Sequence, residues 1–265
     1  MYDFAYHRPK TLDEASRLLT AADEARFLAG GQTLLPALKL RLSRPSALVD
    51  LKGIAGLDGI EEKGDALVIG ALARHAVVAA SPIVAKAIPA LAGLAANIGD
   101  AQVRNRGTLG GSVANSDPAA DYPAAVLGLG AAIKTTARVI PADSFFTGMF
   151  ETALKPGEII ESISFPKPRR AAYAKFPSPA SHYAMVGVFV AETKEGVRVA
   201  VTGAGPHAFR WTEAEGALGK SFAPASIAGL SASARDLLSD THGSAAYRAS
   251  LVASMTKRAV AAAVS

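Results

Sequence analysis

The most informative stretch of the sequence is Arg104-Asn-Arg-Gly-Thr-Leu-Gly-Gly-Ser-Val-Ala-Asn-Ser-Asp-Pro-Ala-Ala-Asp121. It places a Gly-Gly pair among small residues and hydroxyls, between two arginines and two aspartates. A second Gly-Gly pair lies far upstream, in Ala29-Gly-Gly-Gln-Thr-Leu-Leu-Pro36. Glycines let an anion approach the backbone because no Cβ atom intervenes, and Thr33, Thr108 and Ser112 add hydroxyl donors. Two such segments predict a dinucleotide held from two sides.

Each Gly-Gly pair is also compatible with an ordinary turn between a strand and a helix, since glycine is common in turns. Neither segment has the Gly-x-Gly-x-x-Gly pattern of a Rossmann domain or the Gly-Lys-Ser/Thr of a P-loop. A Rossmann dehydrogenase and a nucleotide triphosphatase are therefore poor interpretations. Thr33 stands where a helix is expected to begin, and a helix start favours an anion.

Composition limits the function further. Half of the 265 residues are hydrophobic, but the longest apolar runs, such as Ala184–Ala191, are too short to span a bilayer. No signal peptide is visible, so we expect a cytoplasmic protein. The formal net charge of +5 suits an anionic ligand, yet the basic residues are dispersed, which disfavours nucleic acid.

The chain has no cysteine, so it has no thiolate nucleophile and no cysteine-ligated iron–sulfur cluster of its own. The five histidines have no metal-type spacing. We therefore expect each histidine to be a surface or capping residue, and no metal site.

Local patterns predict the secondary structure. Thr11-Leu-Asp-Glu14 is a capping box that starts a helix, Thr33 is expected to cap a helix through Leu42, and a helix from Ser81-Pro82 breaks at Pro89. The predicted strands are Arg26–Ala29, Ala47–Leu51, Leu67–Ala71, Ala131–Ile140, Glu158–Phe165, Ala172–Phe176, His182–Thr193 and Gly196–Gly203, the last two forming a hairpin. The other predicted helices are Tyr122–Leu129, Ala208–Leu218, Pro224–Leu238 and Ser244–Val264.

These elements predict an α+β protein. Pro166-Lys-Pro-Arg-Arg170 is the best domain boundary because two prolines and a run of charges interrupt strand pairing. We expect a first domain over residues 1–166, built of two α/β subdomains at about 1–53 and 54–166. A C-terminal domain over residues 167–265 would hold an antiparallel sheet and helices.

The two glycine segments, with Asp117-Pro-Ala-Ala-Asp121, resemble the paired FAD motifs of the medium subunit of molybdenum hydroxylases. That family includes the carbon monoxide, xanthine and aldehyde dehydrogenases. The resemblance begins at Phe4-Ala-Tyr-His-Arg-Pro9 and extends over nearly the whole chain. The sequence departs slightly from the family pattern, with Thr-Leu-Gly-Gly for the usual Thr-Ile-Gly-Gly and Gln32-Thr33 after the first glycine pair. The resemblance implies an FAD-binding domain of the vanillyl-alcohol-oxidase and MurB-like class.

The resemblance also implies individual roles. The two glycine segments would surround the pyrophosphate, Asp121 would contact the ribose or ribityl hydroxyls, Lys175 would lie at the isoalloxazine, and Tyr183 would cover one face of the ring. The alternatives are a helix N-cap for Asp121, an exposed strand lysine for Lys175 and a core tyrosine for Tyr183. The expected FAD-binding residues are Ala29, Gly30, Gly31, Gln32, Thr33, Leu34, Leu35, Ile98, Thr108, Leu109, Gly110, Gly111, Ser112, Asp121, Ile160, Lys175 and Tyr183.

Ile98 and Ile160 would be apolar contacts, and ordinary core positions are their alternative. Arg104 and Arg106 have three alternative interpretations. They neutralise the diphosphate, they dock the iron–sulfur partner, or they are a pair of surface residues. No catalytic acid, base or nucleophile is expected, because the isoalloxazine carries the redox chemistry.

The resemblance implies an electron-transfer subunit of an oxidoreductase. Electrons would come from a [2Fe–2S] small subunit and leave to an external acceptor, and the molybdenum cofactor would lie on a large subunit, in a dimer of heterotrimers. A free-standing flavin oxidase or dehydrogenase and a non-redox nucleotide-binding module are the alternatives. The substrate of the complex and the acceptor are not encoded in any motif that we find.

Overall fold

The computed structural model describes residues 1–265. The helices are α1 (Leu12–Thr20), α2 (Leu34–Lys39), α3 (His75–Ala80), α4 (Pro82–Ala87), α5 (Pro89–Ala96), α6 (Ala101–Arg106), α7 (Leu109–Asn115), α8 (Tyr122–Gly128), α9 (Thr212–Lys220) and α10 (Ala245–Val264). The strands are β1 (Ala5–His7), β2 (Arg26–Leu28), β3 (Ala47–Asp50), β4 (Ile60–Lys63), β5 (Ala66–Gly70), β6 (Ala132–Thr135), β7 (Val139–Pro141), β8 (Phe146–Gly148), β9 (Glu151–Thr152), β10 (Ile160–Pro166), β11 (Arg170–Pro177), β12 (Ala184–Thr193), β13 (Gly196–Thr202) and β14 (Phe209–Arg210). The arrangement confirms a mixed α and β fold.

The N-terminal part is a small parallel sheet in the order β1-β3-β2, with α1 beside it. The predicted capping box starts α1, with its second bond shifted by one residue. The Thr11 hydroxyl accepts from the Glu14 amide at 3.2 Å, and the Glu14 carboxylate accepts from the Lys10 amide, just before the N-cap, at 2.9 Å. The Thr11 bond satisfies an amide that the first turn leaves without a partner, so the helix begins where the sequence predicts.

The central part is a five-stranded antiparallel sheet in the order β4-β5-β10-β6-β7. The single strand predicted over Ala131–Ile140 is wrong, because β6 and β7 form a hairpin there. Thr135 explains the turn: its hydroxyl accepts from the amides of Ala137 and Arg138, at 3.2 and 3.0 Å. This local bond competes with an extended backbone.

The C-terminal part is a four-stranded antiparallel sheet in the order β11-β12-β13-β14, against which α10 packs. The predicted hairpin is confirmed, with Thr193 paired to Gly196. The helix predicted over Ala208–Leu218 is present as α9 but begins later, because Phe209–Arg210 is a strand. The helix predicted over Pro224–Leu238 is wrong, because only Pro224–Ile227 forms a short 3-10 helix. Gly229, at φ +88°, ends it in a left-handed conformation that interrupts helix propagation.

Strand β12 joins the two main cores. Phe189 and Ala191 lie in a core shared with the five-stranded sheet and α8, whereas Val188 and Val190 lie in the core under α10. Successive side chains of a strand point to opposite faces, so a strand buried on both sides reads as one apolar run. The run Ala184–Ala191 is therefore a doubly covered strand, and it fixes the C-terminal sheet against the rest of the molecule.

Candidate functional site

A cleft of about 680 Å³ runs along the N-terminal sheet and the central sheet and reaches the loop before β12. Both glycine segments line it, as do the turn at Ile98-Gly99, the start of β10 and residues 181–183. About half of the residues around it are hydrophobic (17 of 35), so the cleft combines apolar walls with polar backbone. Such a composition is typical of a cofactor site.

The first glycine segment, Ala29–Leu34, has unpaired backbone donors. It follows β2, lines the cleft along its whole length and bends at Gly31, whose φ is +76°. None of the amides from Ala29 to Leu34 donates to a protein acceptor. Backbone N–H groups in folded proteins are nearly always paired, so a consecutive run of free donors beside a cleft is suited to binding an anion. Thr33 does precede α2, but its side chain makes no capping bond, which corrects the predicted cap.

The second glycine segment, Thr108–Ser112, differs from its prediction. Gly110 and Gly111 are not a turn; they lie in the first turn of α7, with Thr108 as the N-cap accepting from the Gly111 amide at 3.2 Å. The Leu109 and Gly110 amides donate to the Ala73 and Ala71 carbonyls, at 3.0 and 2.8 Å. The amides of Leu109 and Gly110 are thus already used within the protein, whereas the Thr108 amide makes no backbone hydrogen bond. The expected contact of this segment with the diphosphate stays a prediction. The hydroxyl of Ser112 remains at the cleft.

Packing explains why Gly110 has no side chain. A Cβ atom there would lie 2.5 Å from the Ala71 Cβ and 2.8 Å from the Ala71 carbonyl oxygen. The glycine therefore allows α7 to approach the end of β5. The same logic applies to the first glycine segment, since a Cβ atom on Gly30 would lie 2.6 Å from both the Arg106 carbonyl oxygen and the Gly107 Cα. The first segment is therefore in direct backbone contact with the two residues that precede the second segment.

Most of the expected FAD-binding residues line this one cleft. They are Ala29, Gly30, Gly31, Gln32, Thr33, Leu34, Ile98, Thr108, Gly110, Gly111, Ser112, Asp121, Ile160 and Tyr183. Three do not. Leu35 packs over Gly31 beside the small core under the N-terminal sheet, Leu109 is fully buried in the main core, and Lys175 lies at a neighbouring pocket of about 200 Å³.

Lys175 is one half of a buried ion pair. Its Nζ lies 2.9 Å from Asp121 Oδ1 and also donates to the Asn97 carbonyl at 3.0 Å. The Tyr173 hydroxyl donates to the same carboxylate at 2.5 Å. The side chains of Lys175 and Asp121 are 8% and 4% exposed, so Lys175 is not an exposed strand lysine. Asp121 occupies the N-cap position of α8, as the alternative predicts, but its side chain makes no capping bond.

The environment of Asp121 has opposing effects on the pKa of its carboxyl. Burial has the largest effect and raises the pKa of Asp121, although the Lys175 charge and the Tyr173 hydrogen bond partly offset it. The positive charge of Lys175 is therefore compensated within the protein. Lys175 therefore supports the Asp121 carboxylate that lines the cleft, and its expected position at the isoalloxazine stays a prediction.

The C-terminal sheet also fastens the loop before Asp121. The Thr202 hydroxyl donates to the carbonyls of Pro118 and Ala120, at 3.0 and 2.6 Å, and the Gly203 amide donates to Pro118 at 2.7 Å. The Ala184 amide donates to the Ala119 carbonyl at 3.2 Å. One wall of the cleft is thus positioned by β12 and β13 through a set of hydrogen bonds that are largely shielded from water.

Tyr183 lies where the C-terminal sheet meets the first glycine segment. It remains 43% exposed, so it is not the core tyrosine of the alternative prediction. Burial of its ring edge and the Asp117 carboxylate raise the pKa of Tyr183, while the nearby Thr33 hydroxyl lowers it. The phenol is therefore a neutral, half-exposed ring at the mouth of the cleft.

Arg104 holds the turn that carries Ile98. Its Nη1 donates to the carbonyls of Ile98 and Gly99, at 3.0 and 2.9 Å. Gly99 has φ +49°, a left-handed conformation that glycine adopts readily. The arginine therefore shapes the apolar wall, a role that none of the predicted interpretations includes.

Sequence reasoning missed several polar residues of the cleft, among them His75 and Glu158. The Glu158 carboxylate accepts from Arg138, Thr135 and the Lys155 amide, and these bonds, the Arg138 bond first, lower its pKa to about 2. His75 is only 4% exposed, so the expectation of a surface or capping histidine is wrong there. A lone histidine at the first position of a short helix gives no local signal of burial.

No helix of the chain is both long enough and apolar enough to cross a membrane.

Comparison with known proteins places this chain in a family. Residues 2–168 match the FAD binding domain in molybdopterin dehydrogenase, and residues 171–263 match the CO dehydrogenase flavoprotein C-terminal domain. The chain is 36% identical to the nicotine 6-hydroxylase medium subunit of Paenarthrobacter nicotinovorans, over 96% of this chain and 95% of that protein. It is 36% identical to the carbon monoxide dehydrogenase medium chain of Hydrogenophaga pseudoflava, over 98% of this chain and 96% of that protein.

Solved structures support the same family assignment. A carbon monoxide dehydrogenase structure from Hydrogenophaga pseudoflava superposes with a TM-score of 0.90 at 36% identity, covering 99% of this chain and 98% of that one. The crystal structure of quinoline 2-oxidoreductase from Pseudomonas putida 86 superposes with a TM-score of 0.89 at 32% identity, covering 99% of this chain and 97% of that one. The protein therefore belongs to the FAD-binding medium subunits of the molybdenum hydroxylases, and it is an oxidoreductase subunit with FAD as its cofactor.

Proposed function

We propose that this chain is the electron-transfer subunit of a heterotrimeric molybdenum hydroxylase. It takes electrons from a [2Fe–2S] small subunit and passes them to an external acceptor, while a large subunit carries the molybdenum cofactor. The observation that carries the proposal is the run of unpaired amides from Ala29 to Leu34 along a cleft of about 680 Å³. The relatives named as medium chains support it, because that name implies companion chains.

The cleft fits FAD in chemistry as well as in size. The free amides of the first glycine segment, with the hydroxyls of Thr33 and Ser112, would hold the diphosphate. The carboxylate of Asp121 would accept from hydroxyl groups of the ribose or ribityl chain, since a carboxylate repels phosphate. When bound, FAD supplies the redox chemistry, accepting single electrons and releasing them as a pair.

The other residues of the site orient and shield the cofactor. The apolar side chains of Ile98 and Ile160 would contact its rings and exclude water, and Tyr183 would cover one face of the isoalloxazine. Lys175 would act through Asp121 by keeping that carboxylate ionised and in place. Thr202 fixes the same loop from the C-terminal sheet.

We also propose the division of the chain into an FAD-binding domain at 1–166, with subdomains at about 1–53 and 54–166, and a C-terminal domain at 167–265. The contacts favour a tight association of the two, because β12 packs into both main cores. A dimer of heterotrimers and a cytoplasmic location complete the proposal. The mass of the purified complex tests the stoichiometry.

The test is to purify the chain with its companion subunits, reduce the complex with substrate and follow the flavin absorbance. We expect bound FAD that is reduced only when the [2Fe–2S] subunit is present and that is reoxidised by an added acceptor. Turnover of a substrate by the lone chain would instead support a free-standing flavin oxidase or dehydrogenase. Bound FAD that no subunit reduces would contradict the electron-transfer role.

A further inference from the structure

His75 occupies an unusual position behind the second glycine segment. It is the first residue of α3, its backbone amide donates to the Gly107 carbonyl at 3.0 Å, and its ring lines the cleft. A Cβ atom on Gly107 would lie 2.5 Å from Nε2 of His75. The Nε2 edge of the imidazole thus packs directly against Gly107. Gly30, in the first glycine segment, contacts the same residue.

Neither nitrogen of this ring has a partner in the protein. Nδ1 is fully buried and makes no hydrogen bond, whereas Nε2 also has no protein partner but is not among the fully buried unpaired atoms. The nearest aromatic ring is that of Tyr122, with centroids 5.3 Å apart, and its buried hydroxyl is also unpaired. A buried polar group without a partner is costly, so a cleft-lining imidazole with no protein partner at either nitrogen calls for a functional explanation.

The ring is neutral and one tautomer is favoured. Burial, with a smaller contribution from the Arg104 charge, lowers the pKa of His75 to about 4. A neutral imidazole carries a single N–H, and an orphaned buried N–H is rarer in proteins than an under-satisfied acceptor. The proton therefore belongs on Nε2, at the Gly107 edge, and Nδ1 is left as the unpaired acceptor.

We propose that His75 is a further cofactor-binding residue, whose Nε2–H donates a hydrogen bond to a diphosphate oxygen of FAD where the two glycine segments meet. The inference rests on FAD being the cofactor of the chain. It supplies a donor on the side of the second glycine segment, whose own amides at Leu109 and Gly110 are already used. It also explains why position 107 is glycine, because a side chain there would displace the imidazole.

The test compares His75→Leu with His75→Gln in the full chain freed of flavin. Leucine fills the space without a donor, whereas the glutamine amide can place an N–H near the position of Nε2. The dissociation constants of FAD, ADP and riboflavin are measured by calorimetry. We expect His75→Leu to weaken the binding of FAD and of ADP by about tenfold to a hundredfold, which is the range for loss of a hydrogen bond to a charged group. The affinity for riboflavin should not change. His75→Gln should keep most of the affinity.

Equal affinity for ADP in His75→Leu and the wild type overturns the proposal, as does an equal loss for riboflavin, which carries no phosphate. A second measurement needs no variant: nitrogen NMR of the wild-type chain should show His75 protonated at Nε2, and protonation at Nδ1 contradicts the proposal. Because the wild-type FAD affinity is measured alongside, a failure of this inference is distinct from a failure of FAD binding by the chain.

Discussion

The contact of Gly30 with Arg106-Gly107, just before the second glycine segment, gives a quantitative prediction for Gly30→Ala. The added Cβ atom would lie 2.6 Å from the Arg106 carbonyl oxygen and from the Gly107 Cα, whereas ordinary contacts begin at 3.4 Å. The two segments must therefore separate by about 0.8 Å, and both obstructing atoms belong to the backbone, which cannot move aside as a side chain does. Overpacking of this kind costs about 1–3 kcal/mol.

The cost should appear in both stability and cofactor affinity. We expect the thermal midpoint of the flavin-free chain to fall by about 2–4 °C for each kcal/mol lost. FAD binding should weaken as well, because the unpaired amides of Ala29–Leu34 move away from the opposite wall of the cleft. Differential scanning calorimetry and FAD titration measure the two effects.

Gly59→Ala is the matched control, since a Cβ atom there meets nothing within 4 Å and φ lies outside the left-handed region. It should melt and bind FAD as the wild type does. A Gly30→Ala protein with wild-type FAD affinity would refute the claim that the contact of the two segments shapes the cofactor cleft.

Three further changes test other parts of the structure. Lys175→Met leaves the buried Asp121 carboxylate without its cation, so the free energy of unfolding at pH 7 should fall by about 3–5 kcal/mol, and an unchanged urea midpoint contradicts the buried pair. The pKa of His75 is about 4 in the folded chain against 6.5 unfolded, so the unfolded chain takes up the proton first as pH falls. Stability should therefore drop by about 2 kcal/mol between pH 7.5 and 5, a step that His75→Leu should lack in urea titrations. Gly216→Ala, in α9 with no atom within 4 Å of the new Cβ, should stabilise the chain by about 0.5–1 kcal/mol, and a lower thermal midpoint would contradict this.

Much of the fold follows from local sequence signals. The capping box at Thr11 and the hairpin at Lys194-Glu195 are found where the pattern predicts them, because each depends on neighbouring residues. The helix predicted over Pro224–Leu238 fails because alanine-rich composition is a weak signal that the left-handed Gly229 overrides.

The site is predicted less completely, because its polar groups are arranged by long-range contacts. The glycine segments identify the cleft, but which amides are free depends on Ala71 and Ala73, which lie far from Gly110 in sequence. The pairing of Lys175 with Asp121 likewise joins two distant segments. No spacing rule within the chain reveals such partners.

The most direct test of the account is amide hydrogen exchange with and without FAD. Ala29–Leu34 has no protein acceptors for its amides, whereas Leu109 and Gly110 donate to carbonyls of the protein. If the first glycine segment holds the diphosphate, its amides exchange quickly in the flavin-free chain and become protected when FAD binds, while those of Leu109 and Gly110 are slow in both states. Unchanged exchange at Gly30–Leu34 in a chain saturated with FAD would contradict the account.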